Sequence, residues 1–120
     1  LMSSVVPYLI RAYCDWIEDS NFTPHILVSS EKAGVSIPEG FASDGKIILN
    51  IASSATEGRA ITNKFISFKA RFNGKPEKII VPCNAVLSIY AKENGEGMFF
   101  DNKADPIDQE NPKPNLTILD

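Results

Sequence analysis

The spacing of apolar positions changes once along the chain. Over residues 7–20, PYLIRAYCDWIEDS, Leu9, Tyr13, Trp16 and Ile17 recur at helical intervals. Pro7 stands in the first turn, where a missing N–H costs nothing. Tyr8, Ile10, Ala12 and Cys14 widen the apolar surface beyond one stripe. Two readings of this helix stand side by side. It lies deep against a sheet, or it buries one side on its own core and the other on a second subunit.

From residue 25 the period shortens to that of strands. HILVS (25–29) is short and rich in branched residues, and Pro38 within GVSIPEG suits an edge or a bend. Asp44-Gly45 is a tight-turn dipeptide before KIILNI (46–51), whose unbroken apolar character predicts burial on both faces. A polar loop is expected over 52–64. FISFKARF (65–72), a turn at 73–76 and EKIIVP (77–82) read as a hairpin. AVLSIYAK (85–92) and MFF (98–100), joined through Asn94-Gly95-Glu96-Gly97, complete five or six strands. The expected class is α+β: an N-terminal helix followed by a strongly bent antiparallel sheet or barrel.

In FISFKARF, alternation puts Ile66, Phe68, Ala70 and Phe72 on one face and Phe65, Ser67, Lys69 and Arg71 on the other. A single alanine among large apolar side chains is core filler, the plainer reading, or the floor of a groove.

Beyond residue 100 the composition no longer supports a core. DNKADPIDQENPKPN (101–115) holds three prolines, four acids, two lysines and one large apolar residue, Ile107. Residues 1–101 are therefore read as the folded domain and 102–120 as a flexible acidic, proline-rich tail. The tail ends in LTILD, where Leu116, Ile118 and Leu119 form an apolar cluster. The opening Leu1-Met2 reads as the start of an excised segment.

Chemistry adds little to this picture. With 12 basic and 15 acidic residues the net charge is −3, which disfavours phosphate backbones as partners. No apolar run is long enough to span a bilayer. His25 is the sole histidine, and Cys14 and Cys83 form no metal or redox motif. Both read as packing residues, with Cys83 expected to be partly exposed, and a reducing cytoplasm is the simplest setting. The serines lack a nucleophile elbow, and no phosphate loop or cofactor motif is present. No cofactor and no catalytic activity are expected.

Several stretches, in order, carry a resemblance: PYLIRAYCDWIEDSNFTPHILV, DGKIILNI, FISFKARFNG and VPCNAVLSIYAKENGEGMFF. Over residues 6–101 the chain resembles the stringent starvation protein B family, bacterial adaptors that enhance the specificity of the ClpXP protease. The resemblance implies an Sm-like bent β-sheet, dimerisation through the N-terminal helix, and a groove that captures the ssrA tag added to products of stalled ribosomes. It also implies a flexible tail that docks on the N-terminal zinc-binding domain of ClpX. Tethering then raises the local concentration of tagged protein at the unfoldase.

The resemblance favours Ala70 as groove floor between Phe68 and Phe72. Ile51, Ala52 and Ser53 at a strand end, and Ala55 and Thr56 in the following loop, are further peptide-binding candidates, with Arg71 a minor one. Tyr8, Leu9, Ala12, Tyr13 and Trp16 are candidates for the dimer interface or the core. The family tail closes on an apolar-basic segment, whereas this one ends in aspartate. A replaced or missing terminus, with tag binding but poor delivery, is therefore expected. An Sm-like fold also serves RNA, the alternative function, but the basic residues here are dispersed rather than clustered beside aromatics.

Overall fold

The computed structural model describes residues 2–101. Helix α1 (Val6–Asp19) is followed by seven strands: β1 (Pro24–Ser29), β2 (Lys46–Asn50), β3 (Glu57–Ile61), β4 (Phe65–Phe72), β5 (Lys75–Pro82), β6 (Val86–Ala91) and β7 (Gly97–Phe99). One helix with antiparallel sheets is an α+β architecture. The helix is no longer than 14 residues, and no helix among the described residues is long and apolar enough to cross a membrane.

The strands form two antiparallel sheets, ordered β2-β1-β6-β7 and β3-β4-β5, neither of them closed into a barrel. The expected loop over 52–64 also contains β3 and a short 3₁₀ turn at Ser53–Ala55. EGRAI has no apolar alternation to announce it. It pairs only with β4, through an irregular register between Glu57 and Ala60, and its exposed positions need no apolar side chains.

Helix α1 buries Pro7, Ile10, Cys14 and Ile17, an i, i+3, i+7, i+10 stripe, against β1, β3 and β6. In β1 the residues Ile26 and Val28 face the core, and in β4 and β5 Ile66, Phe68, Ile79 and Val81 do so. Strand β2 alternates, contrary to the two-sided burial expected: Ile47 and Leu49 are buried while Ile48 is 56% exposed. The reason is position, since β2 is the outermost strand of its sheet. Cys83 likewise departs from expectation. It is buried in the 3₁₀ turn Cys83–Ala85, where its thiol lies 3.6 Å from the Thr62 carbonyl.

Two dipeptides set the hairpins. Asp44-Gly45 (φ 54° and 73°) and Asn73-Gly74 (φ 54° and 77°) both place two consecutive residues at positive φ, the conformation of a two-residue hairpin turn matched to strand twist. Asn73-Gly74 alone makes the second turn, so Lys75 and Pro76 already belong to β5. The expected tail 102–120 lies outside the described residues.

Candidate functional site: a cleft between two unpaired strand edges

At the two ends of the β1–β2 pair, Ile51 N–H donates to the Pro24 carbonyl at 3.0 Å and Ser30 N–H to the Gly45 carbonyl at 2.8 Å. These bonds flank the β1–β2 ladder and fix its parity. Leu49 and Ile47 turn their backbone groups toward β1, and Ile48 and Asn50 turn theirs outward. Nothing in the sheet lies on that side.

The same argument applies to β4. Thr62 N–H donates to the Phe65 carbonyl and Cys83 N–H to the Lys64 carbonyl, each at 2.8 Å. Phe65, Ser67, Lys69 and Arg71 therefore direct their backbone groups toward β3, while Ala70 and Phe72 direct theirs toward β5. Strand β3 runs out at Glu57, opposite Lys69. Arg71 is left with its main chain facing open space.

Three adjoining depressions fill the region between these edges. One, of about 410 Å³, is lined by Ser54, Ala55, Thr56, Glu57, Lys69, Ala70, Arg71 and Pro76. The next, about 220 Å³, shares Ala55, Ala70 and Arg71 with it and adds Ile48, Asn50, Phe68 and Phe72. The third, about 370 Å³, shares Ile48 and Phe72 with the second and is completed by Leu27, Phe41, Ser43, Lys46 and Ile47. Together they make one trough, charged at the Glu57–Lys69–Arg71 end and apolar at the Leu27–Phe41–Ile48 end. Phe41 meets Phe72 edge to face, with ring centroids 4.9 Å apart.

Ala70 is only partly buried and borders two of the depressions. A larger side chain there would occupy the trough. Ala55, Thr56, Phe68, Arg71 and Phe72 border it as well, so the structure brings six of the nine peptide-binding candidates together. Ile51, Ala52 and Ser53 do not line it. Ile51 is fully buried and Ala52 nearly so, and Ser53 presents its amide to Glu18. Sequence reasoning missed Ile48, Asn50, Ser54, Glu57, Lys69 and Pro76. The only signal for Ile48 was an alternation masked by the apolar run in which it stands.

Ser54, Ala55 and Thr56 form one wall, and the backbone of the Ile51–Thr56 segment that carries it is tied at successive positions. Asn50 Oδ1 accepts from Ala52 N–H at 2.9 Å, and the Ala52 carbonyl accepts from Ala55 N–H at 2.9 Å and from Thr56 Oγ1 at 3.0 Å. Glu18 Oε2 accepts from Ser53 N–H at 2.6 Å, and Arg59 Nη1 donates to the Ile51 carbonyl at 2.6 Å. Arg59 Nη2 also pairs with Glu18 Oε1 at 3.3 Å. Burial alone would raise the Glu18 pKa, but the Ser53 amide and the Arg59 guanidinium outweigh it and hold the carboxyl below its ordinary value.

The described residues also show where the lone histidine sits. His25, in β1, is half-buried beside Tyr90, with ring centroids 6.0 Å apart and Nδ1 buried without a hydrogen-bond partner. Burial lowers its pKa, so the ring is neutral at pH 7. No group of three or more metal-ligating side chains occurs among the described residues.

A family model described as stringent starvation protein B matches residues 4–117. The chain belongs to the stringent starvation protein B family. It is 46% identical over 95 residues to a Haemophilus influenzae protein named stringent starvation protein B homolog, an alignment that covers 79% of this chain and 63% of that relative. The chain thus spans less than two thirds of the length of the curated relative it matches.

In this member of the stringent starvation protein B family the outer face of α1 carries large side chains in the open. Tyr8 and Trp16 are each 49% exposed, with exposed Ala12 between them at four-residue steps. Leu9 and Tyr13 are shared differently, being partly buried against the core. Tyr13 meets Trp16 edge to face at 5.6 Å, and Arg11 stacks over Tyr8 at 4.6 Å. The two readings of the helix thus divide by residue: Ile10, Cys14 and Ile17 serve the core, and Tyr8, Ala12 and Trp16 face outward.

Proposed function

We propose that this protein is an adaptor that holds the ssrA degradation tag in the trough and tethers the tagged protein to the ClpXP protease. The observation that carries this reading is the pair of unpaired strand edges facing one cleft. An extended peptide laid between Ile48/Asn50 and Arg71 finds main-chain partners on both sides, in the manner of strand addition. Ala70 lets its backbone approach. The charged end, with Lys69 and Arg71, suits the acidic residues of the tag, and the apolar end suits a large apolar side chain.

The remaining parts of the reading come from family membership. Tyr8, Ala12 and Trp16, with parts of Leu9 and Tyr13, form the homodimer face, and the two sheets are the halves of an Sm-like bent sheet. Docking on the N-terminal zinc-binding domain of ClpX belongs to the family's apolar-basic tail end, which the closing LTILD does not match. The function is one of holding, with no bond made or broken, in a cytoplasmic setting. RNA binding is the weaker reading, because acids outnumber bases and the basic residues are dispersed along the sequence.

Fluorescence anisotropy with a labelled ssrA-type peptide tests the assignment, using the wild-type chain and Ala70→Gln. Saturable binding that is lost in the substituted but folded chain supports it. Absence of wild-type binding at high micromolar peptide, or equal binding by both chains, overturns it.

A further inference from the structure

Glu18 and Arg59 border none of the three depressions, yet they hold the wall of the trough in place. Glu18 lies in the last turn of α1, and Arg59 lies in β3. Their side chains are mostly buried, 22% and 20% exposed, so each charge depends on the other for much of its solvation. From this one pair, bonds reach two points of the segment that carries the wall: the Ile51 carbonyl through Arg59 and the Ser53 amide through Glu18. Arg59 Nη1 also lies 3.4 Å from the Cys14 thiol, which anchors the guanidinium against the core side of the helix.

The wall needs such an anchor. Ser53, Ser54 and Ala55 are exposed, and their 3₁₀ turn has no side-chain cap. An exposed, uncapped segment of that kind opens locally at low cost. Without the ion pair, the Ile51 carbonyl and the Ser53 amide would lose their partners together.

We propose that Glu18 and Arg59 are positioning residues for the trough, fixing from behind the Ile51–Thr56 segment that carries its wall, so that tag affinity depends on an ion pair the peptide never touches. This rests on the tag-binding reading above for its affinity consequence. The geometric part, that the pair immobilises the wall, stands independently. It also links the trough to α1: the helix that presents Tyr8 and Trp16 outward supplies the carboxylate that fixes the wall.

The test combines two measurements on the full chain and on Glu18→Ala, Arg59→Met, Arg59→Lys and the Glu18→Ala/Arg59→Met double variant. Anisotropy with labelled ssrA-type peptide should show each of the first two weakening binding about tenfold, and the double variant no weaker than the worse single. Arg59→Lys, which keeps a charged donor, should fall between wild type and Arg59→Met. Amide hydrogen exchange should accelerate at Ser53 and Ala55 while Ile26 and Val28 in β1 keep their protection. Wild-type affinity in both single variants overturns the proposal, as does a uniform loss of protection that includes β1, or additive losses in the double variant. If the wild-type chain binds no tag, the functional reading fails and exchange alone decides. Unchanged exchange at Ser53 and Ala55 then overturns the positioning role, and selective acceleration upholds it.

Discussion

Ile48 and Phe72 belong to different sheets and share no ladder, yet both border the same two depressions. Ile48 stands on the outer edge of one sheet, and Phe72 stands at the end of β4, beyond the reach of β3. The trough exists because neither sheet continues far enough to close it. An open edge is ordinarily a liability in a β-protein. Here two such edges face each other across a gap.

The first prediction separates binding from folding along β4. Ala70 is partly exposed above a depression, whereas Phe68, two residues earlier on the same face, is 2% exposed in the core. Ala70→Gln should cost no more than about 1 kcal/mol of stability and abolish measurable tag binding. Phe68→Ala should cost about 3–5 kcal/mol by leaving a cavity. Urea denaturation beside peptide anisotropy checks both. Comparable destabilisation by the two substitutions would place Ala70 in the core after all.

Ile48→Ser tests the apolar end of the trough. With more than half its surface already in water, Ile48 contributes little to folding, so stability should change by less than about 1 kcal/mol. Tag binding should weaken by about five- to tenfold, the loss expected when a ligand side chain forfeits roughly 1 kcal/mol of apolar contact. Unchanged affinity would confine the peptide to the charged end, near Lys69 and Arg71.

These contrasts show what the chain discloses on its own. The helix, its buried stripe and the hairpin FISFKARF–EKIIVP are legible because local periodicity and turn dipeptides such as Asn73-Gly74 agree with the final packing. Strand β3 was not legible, because EGRAI owes its conformation to β4 and not to its own pattern. Ala70 stands out in the sequence as an anomaly, but its place beside Ile48, Asn50 and Ala55 is a tertiary fact. Ile51 and Ala52 were placed by their nearness to a strand end, and a polar network that no local pattern records turns them inward.

The Glu18 carboxyl makes stability depend on pH. Its folded pKa lies below the ordinary 4.5, so its favourable interactions are fully present above that value. They are lost as pH falls through the folded pKa. Thermal unfolding of wild type and Glu18→Gln should therefore differ most above pH about 5 and converge toward pH 3, with a wild-type advantage of about 1–2 kcal/mol at neutral pH. A difference that stays constant from pH 7 to pH 3 would show that the carboxylate charge carries none of it.

Cys14 and Cys83 make a prediction about reactivity. Burial pushes the Cys14 thiol up to about 11, against an opposing pull from Arg59, and burial likewise raises Cys83. The thiolate is the reactive form. A disulfide reagent at pH 8 should label neither of the chain's two cysteines on the timescale of minutes in native buffer, and both in denaturant. Rapid modification of one thiol in the native state would show that one of these sites opens to solvent far more readily than its burial implies.

The outer face of α1 provides the last prediction. Ala12 lies between Tyr8 and Trp16 at four-residue steps, so a partner helix approaching this face would pass closest at its methyl group. Arginine has a helix propensity close to that of alanine, and position 12 is exposed, so Ala12→Arg should leave the monomer's circular dichroism and melting temperature nearly unchanged. Sedimentation velocity at micromolar concentration should shift from a dimer to a monomer. Because no residue of α1 lines any of the three depressions, tag affinity per chain should stay within about twofold of wild type. A variant that still sediments as a dimer would move the interface off this helix, and one that loses tag binding with its partner would mean that the trough needs two chains to hold its shape.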